Sequence, residues 1–159
     1  MTKFRVSRRA VLGTGIGALV VTTGLPAAAS ARTCAGVSAT NQRIIREYYG
    51  AWVKKDWALV DMLLADDFTF TSAAPDDHIS KTTFKRRCWD TQSALIESFG
   101  LERMFGAGDE VFVKYLCRTK NGKSFRNIEY LRLKSGKVVS IECYFGGAGY
   151  PSAANTRHT

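Results

Sequence analysis

The feature that most constrains this chain is a run of three alternating segments in its last third. They cover residues 110–119, 125–133 and 137–145, and in each of them every second residue gives one face that is more apolar than the other. Such a pattern is typical of a β-strand with one buried face. An Asn-Gly pair links the first two segments and a Ser-Gly pair links the last two, and short links of this kind join antiparallel neighbours. The sequence therefore predicts a three-stranded antiparallel meander.

The middle segment, FRNIEYLRL, carries polar groups on its more apolar face. Alternation places Asn127 and Glu129 on the face that also holds Phe125, Leu131 and Leu133. A buried carboxylate is costly unless it is ion-paired, hydrogen-bonded or protonated. Glu129 is therefore a candidate functional residue. A purely structural ion pair with an arginine of a neighbouring strand is the alternative that the sequence leaves open.

The segments before the meander have helical spacing. Ile44, Tyr48 and Trp52 recur on one side of a first helix, which Thr40 or Asn41 is expected to cap. Further on, WALVDMLLAD predicts a short second helix, FTFT a short strand, and KTTFKRRCWDTQSAL a third helix capped by the preceding serine. Helices followed by an antiparallel sheet predict an α+β domain whose helices cover one face of the sheet.

Residues 1–31 have the three-part plan of an export signal. A basic start, with Arg8 and Arg9 side by side, precedes an uncharged Gly-rich run and a small-residue cleavage site that ends at Ala31. The stretch SRRAVLG resembles a twin-arginine signal. We therefore expect a secreted or periplasmic protein that meets the membrane only during export. An uncleaved membrane anchor is the alternative.

After cleavage, residues 32–40 are predicted to form a flexible lead-in, 41–147 the folded domain and 148–159 a loose tail. The net charge would fall from +9 to +5, because the signal holds four basic and no acidic side chains. The chain has no basic run interleaved with aromatic residues, so we expect no nucleic-acid partner.

The four cysteines, Cys34, Cys88, Cys117 and Cys143, have no close pairing of the kind that holds zinc. The sequence also has no nucleotide-binding glycine motif. We therefore expect neither a metal nor an organic cofactor. Whether the thiols are free or form disulfides stays open.

Four motifs together resemble the nuclear transport factor 2-like superfamily, and its SnoaL-like and ketosteroid-isomerase-like members come closest. The motifs are LLADDF, DHISK with a later CW, NIEYLRL-x-x-GKVV, and YFG. The resemblance covers about 41–146. It implies a cone-like fold, in which a curved antiparallel sheet and about three helices enclose an apolar pocket.

The resemblance also implies roles for particular residues. Glu129 lies at the position of a carboxylic acid that stays protonated in ketosteroid isomerases and donates to an oxyanion, and Tyr48 at the position of their oxyanion-holding tyrosine. Their catalytic base is an aspartate, and Ser72 stands in its place here. Serine cannot take up a carbon-bound proton without an activating base, so ketosteroid isomerase activity is doubtful.

A replacement base is the pair of His78 with Asp77 or Asp76, because other superfamily members use a His–Asp pair in the pocket. The alternative is a surface loop in which the aspartates only make turns and caps. The expected ligand-binding residues form the pocket wall: Trp52, Phe70, Ser72, Trp89, Asn127, Ile141, Cys143 and Phe145.

Three functions follow as hypotheses. The first is a cofactor-free isomerase-, cyclase- or dehydratase-like enzyme that transfers protons on a small apolar molecule. The second is a pocket that binds such a molecule without catalysis. The third is a homodimeric interaction module that pairs through the outer sheet face with Arg126, Tyr130 and Arg132. Whether the protein is an enzyme is not decided by the sequence.

Overall fold

A computed structural model describes residues 36–72 and 76–145. The predictions for the signal segment 1–31, for Cys34 and for the tail 148–159 lie outside the described residues. Within the described part, none of the helices has the length and apolar character needed to span a membrane.

The secondary structure follows the predicted order of helices and strands. The helices are α1 (Ala39–Lys54), α2 (Trp57–Leu63) and α3, which has three consecutive segments, Lys81–Phe84, the π-helical Lys85–Trp89, and Asp90–Gln92. The strands are β1 (Leu64–Ser72), β2 (Ile79–Ser80), β3 (Ile96–Ala107), β4 (Glu110–Thr119), β5 (Ser124–Lys134) and β6 (Lys137–Phe145). The α+β class is confirmed.

Several boundaries differ from the predicted ones. Helix α1 begins two residues early, because the Ser38 side chain, and not Thr40 or Asn41, accepts a hydrogen bond from the backbone of the first turn. Strand β1 begins at Leu64, so the residues read as the end of the second helix already belong to the sheet. Helix α3 ends at Gln92, three residues before the predicted end. Ser80 caps α3 as predicted.

The six strands form one sheet in the order β2-β1-β6-β5-β4-β3. The meander β4-β5-β6 is antiparallel as predicted, and its last turn, Ser135-Gly136, has positive φ at both residues, as a two-residue hairpin turn requires. The prediction of a wholly antiparallel sheet is wrong at one place, since β1 pairs parallel with β6. Parallel neighbours need a long connection, and helix α3 with the meander supplies it.

Irregularities in pairing bend the sheet around the helices. The register shifts once between β1 and β6, twice between β3 and β4, and once between β5 and β6, and such bulges increase local bend and twist. The inner face of the sheet and the buried side of α1 form one hydrophobic core. Strand β5 alternates buried and exposed residues along its length, and this places Glu129 inside the core.

Candidate functional site

Glu129 is a buried carboxyl group held by hydrogen bonds. On the sheet it lies between Cys143 of β6 and Val113 of β4. The Tyr49 hydroxyl of α1 lies 2.6 Å from Oε2, and the Tyr115 hydroxyl of β4 lies 2.9 Å from Oε1. Two tyrosines, one from the helix and one from the sheet, therefore fix the carboxyl plane.

A second layer supports this pair from the sheet side. The Asn127 amide donates to the Tyr115 oxygen at 3.2 Å and to the Cys143 sulfur at 3.6 Å. Both residues are buried on the same face as Glu129. Asn127 and Glu129 lie on the same face, as predicted, and the Tyr115 hydroxyl links them by hydrogen bonds.

No ion pair balances the Glu129 carboxylate within the described residues, so the arginine partner considered above is not found there. Burial raises the pKa of Glu129 above its ordinary value, and hydrogen bonds from Tyr49, Tyr115 and Cys143 act in the opposite direction. A buried carboxyl without a nearby cation favours its neutral form. Glu129 is therefore set up to hold its proton above the usual pH range of a glutamate.

Tyr48 lies beside this network and not within it. Its hydroxyl makes no hydrogen bond to Glu129 in the structure, and the next residue, Tyr49, takes that place. Burial, and after it the nearby Glu129 charge, raise the pKa of Tyr48 well above its ordinary value, whereas the Trp52 side chain acts against this as a hydrogen-bond donor. Tyr48 is therefore a neutral phenol throughout the physiological pH range.

These groups line a cavity between α1, α3 and the sheet. The space open to the centre of a water molecule is about 30 Å³, and one ordered water needs roughly 10–15 Å³ of such space. In this conformation the cavity accepts only a small molecule. Its lining is mostly aromatic: Tyr48, Tyr49, Trp52, Phe70, Phe84, Gln92, Ile96, Phe99, Tyr115, Phe125 and Glu129.

Of the predicted ligand-binding residues, Trp52 and Phe70 line this cavity. The others lie around it: Trp89 packs its ring 4.6 Å from that of Trp52, Ile141 is wholly buried, and Phe145 packs against the core from the end of β6. Asn127 and Cys143 lie behind Glu129, as described above. These residues pack behind the side chains that line the cavity and do not line it themselves.

Ser72, at the position of the missing base, contacts another carboxylate. Its hydroxyl donates to Asp76 Oδ2 at 3.4 Å, and its backbone N–H donates to the Asp76 carbonyl at 2.8 Å. Asp76 is buried, and its Oδ1 lies 2.8 Å from the Arg87 guanidinium, a contact with the distance of an ion pair but without hydrogen-bond geometry. This cluster ties the end of β1 to the π-helical segment of α3.

His78 and Asp77 are on the surface. Their side chains pair with each other and are 73% and 81% exposed, and His78 has a positive φ of 47°. Neither residue lines the cavity. The structure therefore does not bring the predicted His–Asp pair to Glu129.

Cys88, Cys117 and Cys143 are free thiols in buried positions. Burial is the main cause that raises the pKa of both Cys88 and Cys117 to about 12, so these two thiols stay protonated and unreactive. In the described part of the chain, no group of three or more His, Cys, Asp or Glu side chains is placed to hold a metal ion.

Sequence reasoning missed Tyr49 and Tyr115, the two direct partners of Glu129. A signal for Tyr115 was present, because the Asn-Gly turn sets a register in which Tyr115 faces Asn127, diagonal to Glu129 on the same face. A signal for Tyr49 was weaker. Tyr48 and Tyr49 are adjacent on α1, and both are buried, so helical spacing does not tell which hydroxyl reaches the sheet.

Comparison with known proteins agrees with this architecture. No curated protein matches the chain in sequence. Among solved structures, an NTF2-like protein of unknown function from Cytophaga hutchinsonii is 19% identical with a TM-score of 0.54, and the match covers 65% of this chain and 88% of that one. These values establish an NTF2-like fold.

Two further solved structures carry names that refer to chemistry. AclR, a candidate hydroxylase from Streptomyces galilaeus, is 16% identical with a TM-score of 0.57, and the match covers 66% of this chain and 74% of AclR. TerC, co-crystallised with polyporic acid, is 13% identical with a TM-score of 0.57, and the match covers 67% of this chain and 91% of TerC. The model of the SnoaL-like domain matches residues 45–141, more than half of the chain, and this protein therefore belongs to the SnoaL-like domain family.

Proposed function

We propose that the protein binds a small, mostly apolar molecule in the cavity beside Glu129 and catalyses a proton transfer on it. The observation that supports this most directly is Glu129 itself. It is a buried carboxyl group with hydrogen bonds from two tyrosines, no cation nearby in the described residues, and a cavity of aromatic side chains in front of it.

The chemistry of such a group favours stabilisation of a negatively charged oxygen. A neutral carboxyl and a phenol in an apolar cavity donate hydrogen bonds that strengthen as charge develops on a substrate oxygen. They supply this with little reorganisation, because hydrogen bonds already hold the carboxyl group and its tyrosine partners in place. The proposed reaction class is a proton shift in a carbonyl or hydroxy compound, without a cofactor.

The proposal assigns the transferred proton to Glu129 and the second hydrogen-bond donor to Tyr48. Glu129 gives its proton to the substrate oxygen, the carbon-bound proton passes to a water molecule, for which the cavity has space, and that water returns a proton to Glu129. The proposal does not use a separate base at Ser72, because Ser72 and Asp76 hydrogen-bond each other away from the cavity lining. His78 and Asp77 also lie outside the lining, so a catalytic role for them would need movement of their loop.

The test uses Glu129→Gln, with His78→Ala as the matched control. Small ketones and enols are screened for tautomerisation by ultraviolet absorbance, and any turnover found is measured in both variants. We expect Glu129→Gln to lower the rate by a factor of at least about 100, a typical effect for loss of a proton-transferring group, and His78→Ala to leave it unchanged. Turnover that survives Glu129→Gln would exclude the proposed role, and loss on His78→Ala would move the base to the surface loop.

Ligand binding without catalysis is the main alternative. This alternative is supported by TerC, a protein of similar fold that was co-crystallised with polyporic acid. If a small apolar molecule binds with dependence on Trp52 and no turnover is found for any bound compound, the protein is a binding protein. Catalysis that depends on residues of the cavity would exclude this alternative.

A homodimer is a second candidate, favoured by the outer face of the sheet. Phe105, Phe112 and Tyr130 stack side by side across three strands with centroid distances of 5.3 and 4.8 Å. Phe105 is 57% exposed, and exposed apolar rows of this kind are typical of protein interfaces. We expect sedimentation to give a dimer that Phe105→Ser weakens. Leu95→Ser, at an exposed position in the turn before β3, should leave the dimer intact. A monomeric wild-type protein would exclude the homodimer.

Export is proposed from the sequence alone. The predicted cleavage after Ala31 gives a defined mass for residues 32–159, which mass spectrometry of the native protein measures directly. We expect that mass in the periplasm or culture fluid, and replacement of Arg8 and Arg9 by lysine should retain the protein inside the cell. The full-length mass in a membrane fraction would favour the anchor.

A further inference from the structure

We propose that a groove on the exposed side of α1 docks an acidic polypeptide segment that also carries apolar side chains. This α1 groove is lined by Gln42, Arg46, Gly50 and Lys54 of α1 and by Leu59 of α2, among others. The cavity beside Glu129 lies on the buried side of the same helix. The inference goes beyond the proposed function, because it concerns a separate surface and does not depend on the cavity.

Gly50 is a helix glycine that packing within the described chain does not require. It lies inside α1, where glycine is less favourable than any residue except proline. A Cβ atom added at Gly50 would meet no atom within 4 Å outside its own helix backbone, and the residue has no left-handed φ that would favour glycine. The missing side chain instead exposes the helix backbone in the α1 groove, where another chain can approach closely.

The shape of this surface suits an inserted chain segment. The α1 groove encloses about 490 Å³ between α1 and Leu59. A second depression of about 380 Å³, with Leu101 and Met104 of β3 in its wall, lies on the other side of Arg46. Arg46 lines both, so the two depressions adjoin along the helix. A concave surface of this kind fits an inserted segment better than a flat bilayer.

The charges along this surface favour an acidic occupant. Arg46 and Lys54 line the α1 groove and Arg103 lines the second depression, and none of the three has an ion-pair partner among the described residues. The acidic residues of the two linings, Glu47 and Glu102, already contact basic side chains. Unpaired cations beside apolar side chains are complementary to a segment with carboxylates and apolar groups.

The spacing of these groups indicates how such a segment would lie. Arg46 and Lys54 each stand four residues, or about one helical turn, from Gly50, and they are about 12 Å apart along the axis. A segment along α1 can therefore place one carboxylate at each cation and an apolar side chain between them, over Gly50 and against Leu59. Lys54 also stabilises the end of α1 as a cation in its last turn, so Arg46 gives the cleaner test.

The test measures the binding of fluorescein-labelled peptides to the purified protein by fluorescence anisotropy. The probe is a short peptide that repeats Glu-Glu-Leu, and the comparison peptides repeat Glu-Glu-Ser and Lys-Lys-Leu. We expect Glu-Glu-Leu to bind, with an affinity that falls as salt is added. Glu-Glu-Ser should bind at least about tenfold more weakly, because it buries less apolar area, and Lys-Lys-Leu should not bind.

Gly50→Ala separates a role in docking from a role in folding. The added methyl group should weaken Glu-Glu-Leu binding at least about fivefold, because it occupies the space into which the peptide packs. The same change should raise the melting temperature by about 2–4 °C, because alanine favours helix. Thr82→Ala, at an exposed position of α3, is the control that changes a helix elsewhere and should leave binding unchanged.

Arg46→Gln tests the charge. We expect it to weaken Glu-Glu-Leu binding about two- to fivefold and to make the affinity less sensitive to salt. Arg86→Gln is the matched control, because Arg86 is also exposed on a helix, has no ion-pair partner among the described residues and lies outside the groove lining. An equal loss in both variants would mean that only the net charge of the protein attracts the peptide, and the docking site would be wrong.

The remaining outcomes also decide the proposal. Unchanged affinity in Gly50→Ala, or equal binding of Glu-Glu-Ser and Glu-Glu-Leu, would exclude the α1 groove as the docking site. Tighter binding to vesicles of phosphatidylglycerol than to the Glu-Glu-Leu peptide would assign this surface to an anionic membrane and overturn the polypeptide partner. None of these results bears on proton transfer at Glu129, which is measured separately.

Discussion

Tyr115 is the residue whose removal most directly tests the electrostatics of the site. Its hydroxyl donates to Glu129 and favours the ionised form of the carboxyl group, against the larger effect of burial. Tyr115→Phe removes this donor and leaves the ring in place. We therefore expect the pKa of Glu129 to rise further in the variant.

Carbon-13 NMR of the labelled glutamate carboxyl groups measures that titration. Tyr144→Phe is the control, because its hydroxyl interacts with Glu142 on the outer face and not with Glu129. A Glu129 pKa that is unchanged or lowered in Tyr115→Phe would contradict the hydrogen-bond scheme.

At this scale the sequence predicted the acid and not its partners. Glu129 could be identified from the sequence, because burying a charged group on the apolar face of a strand costs free energy, so such a residue calls for an explanation. The two hydroxyl groups that donate to Glu129 come from α1 and from β4. Their distances from the carboxyl group depend on the rotation of the helix about its own axis as it lies over the sheet. No spacing within either segment determines that rotation, so the sequence did not show that Tyr49, and not the neighbouring Tyr48, contacts Glu129.

Among the elements, the start of α1 offers a direct comparison of two capping residues. The Ser38 hydroxyl accepts from the Asn41 backbone N–H at 3.1 Å, and Thr40 is already inside the helix and exposed. Ser38→Ala should lower the free energy of unfolding by about 1 kcal/mol. Thr40→Ala should leave it unchanged or raise it slightly, because alanine favours helix more than threonine. Urea denaturation measures the free energy of unfolding of both variants. A larger loss in Thr40→Ala than in Ser38→Ala would mean that Thr40 caps the helix, as the sequence predicted.

Strand β3 contains a second matched pair, Gly100 and Gly106. A Cβ atom added at Gly106 would lie 2.0 Å from the Glu110 carbonyl oxygen, whereas one added at Gly100 would meet its nearest neighbour, the Leu116 carbonyl oxygen, at 3.7 Å. Gly106→Ala should therefore destabilise the protein by about 3 kcal/mol or more, because backbone atoms must shift. Gly100→Ala should change stability by less than about 1 kcal/mol, and equal effects in thermal unfolding would contradict the tight β3–β4 turn.

The elements that were predicted correctly are those with local signals. The meander has two-residue periodicity and glycine turns, and its strands agree with the structure almost to the residue. The start of β1 was missed because Leu63, Leu64 and Ala65 continue an apolar run that helix and strand share. The parallel pairing of β1 with β6 joins segments far apart in the chain, and no local pattern specifies it.

For the whole molecule, Glu129 makes stability depend on pH in a direction that can be tested. Burial raises its pKa in the folded state above the ordinary value of 4.5, and hydrogen bonds only partly oppose this. Between the unfolded and folded pKa values the folded state binds more protons. The contribution of Glu129 to the free energy of unfolding is therefore greatest below pH 4.5, falls as pH rises toward the folded pKa, and is level above it.

Glu129→Gln isolates this contribution, because glutamine is similar in shape and does not titrate. Relative to wild type, the variant should become more stable as pH rises above 4.5, by about 1.4 kcal/mol for each unit of the pKa shift. Urea denaturation of both proteins over a pH series measures the difference. A difference that stays constant with pH would mean that Glu129 titrates normally, and a difference that changes in the opposite direction would mean that the tyrosines hold it as a carboxylate. Either result would remove the neutral acid on which the proposed proton transfer depends.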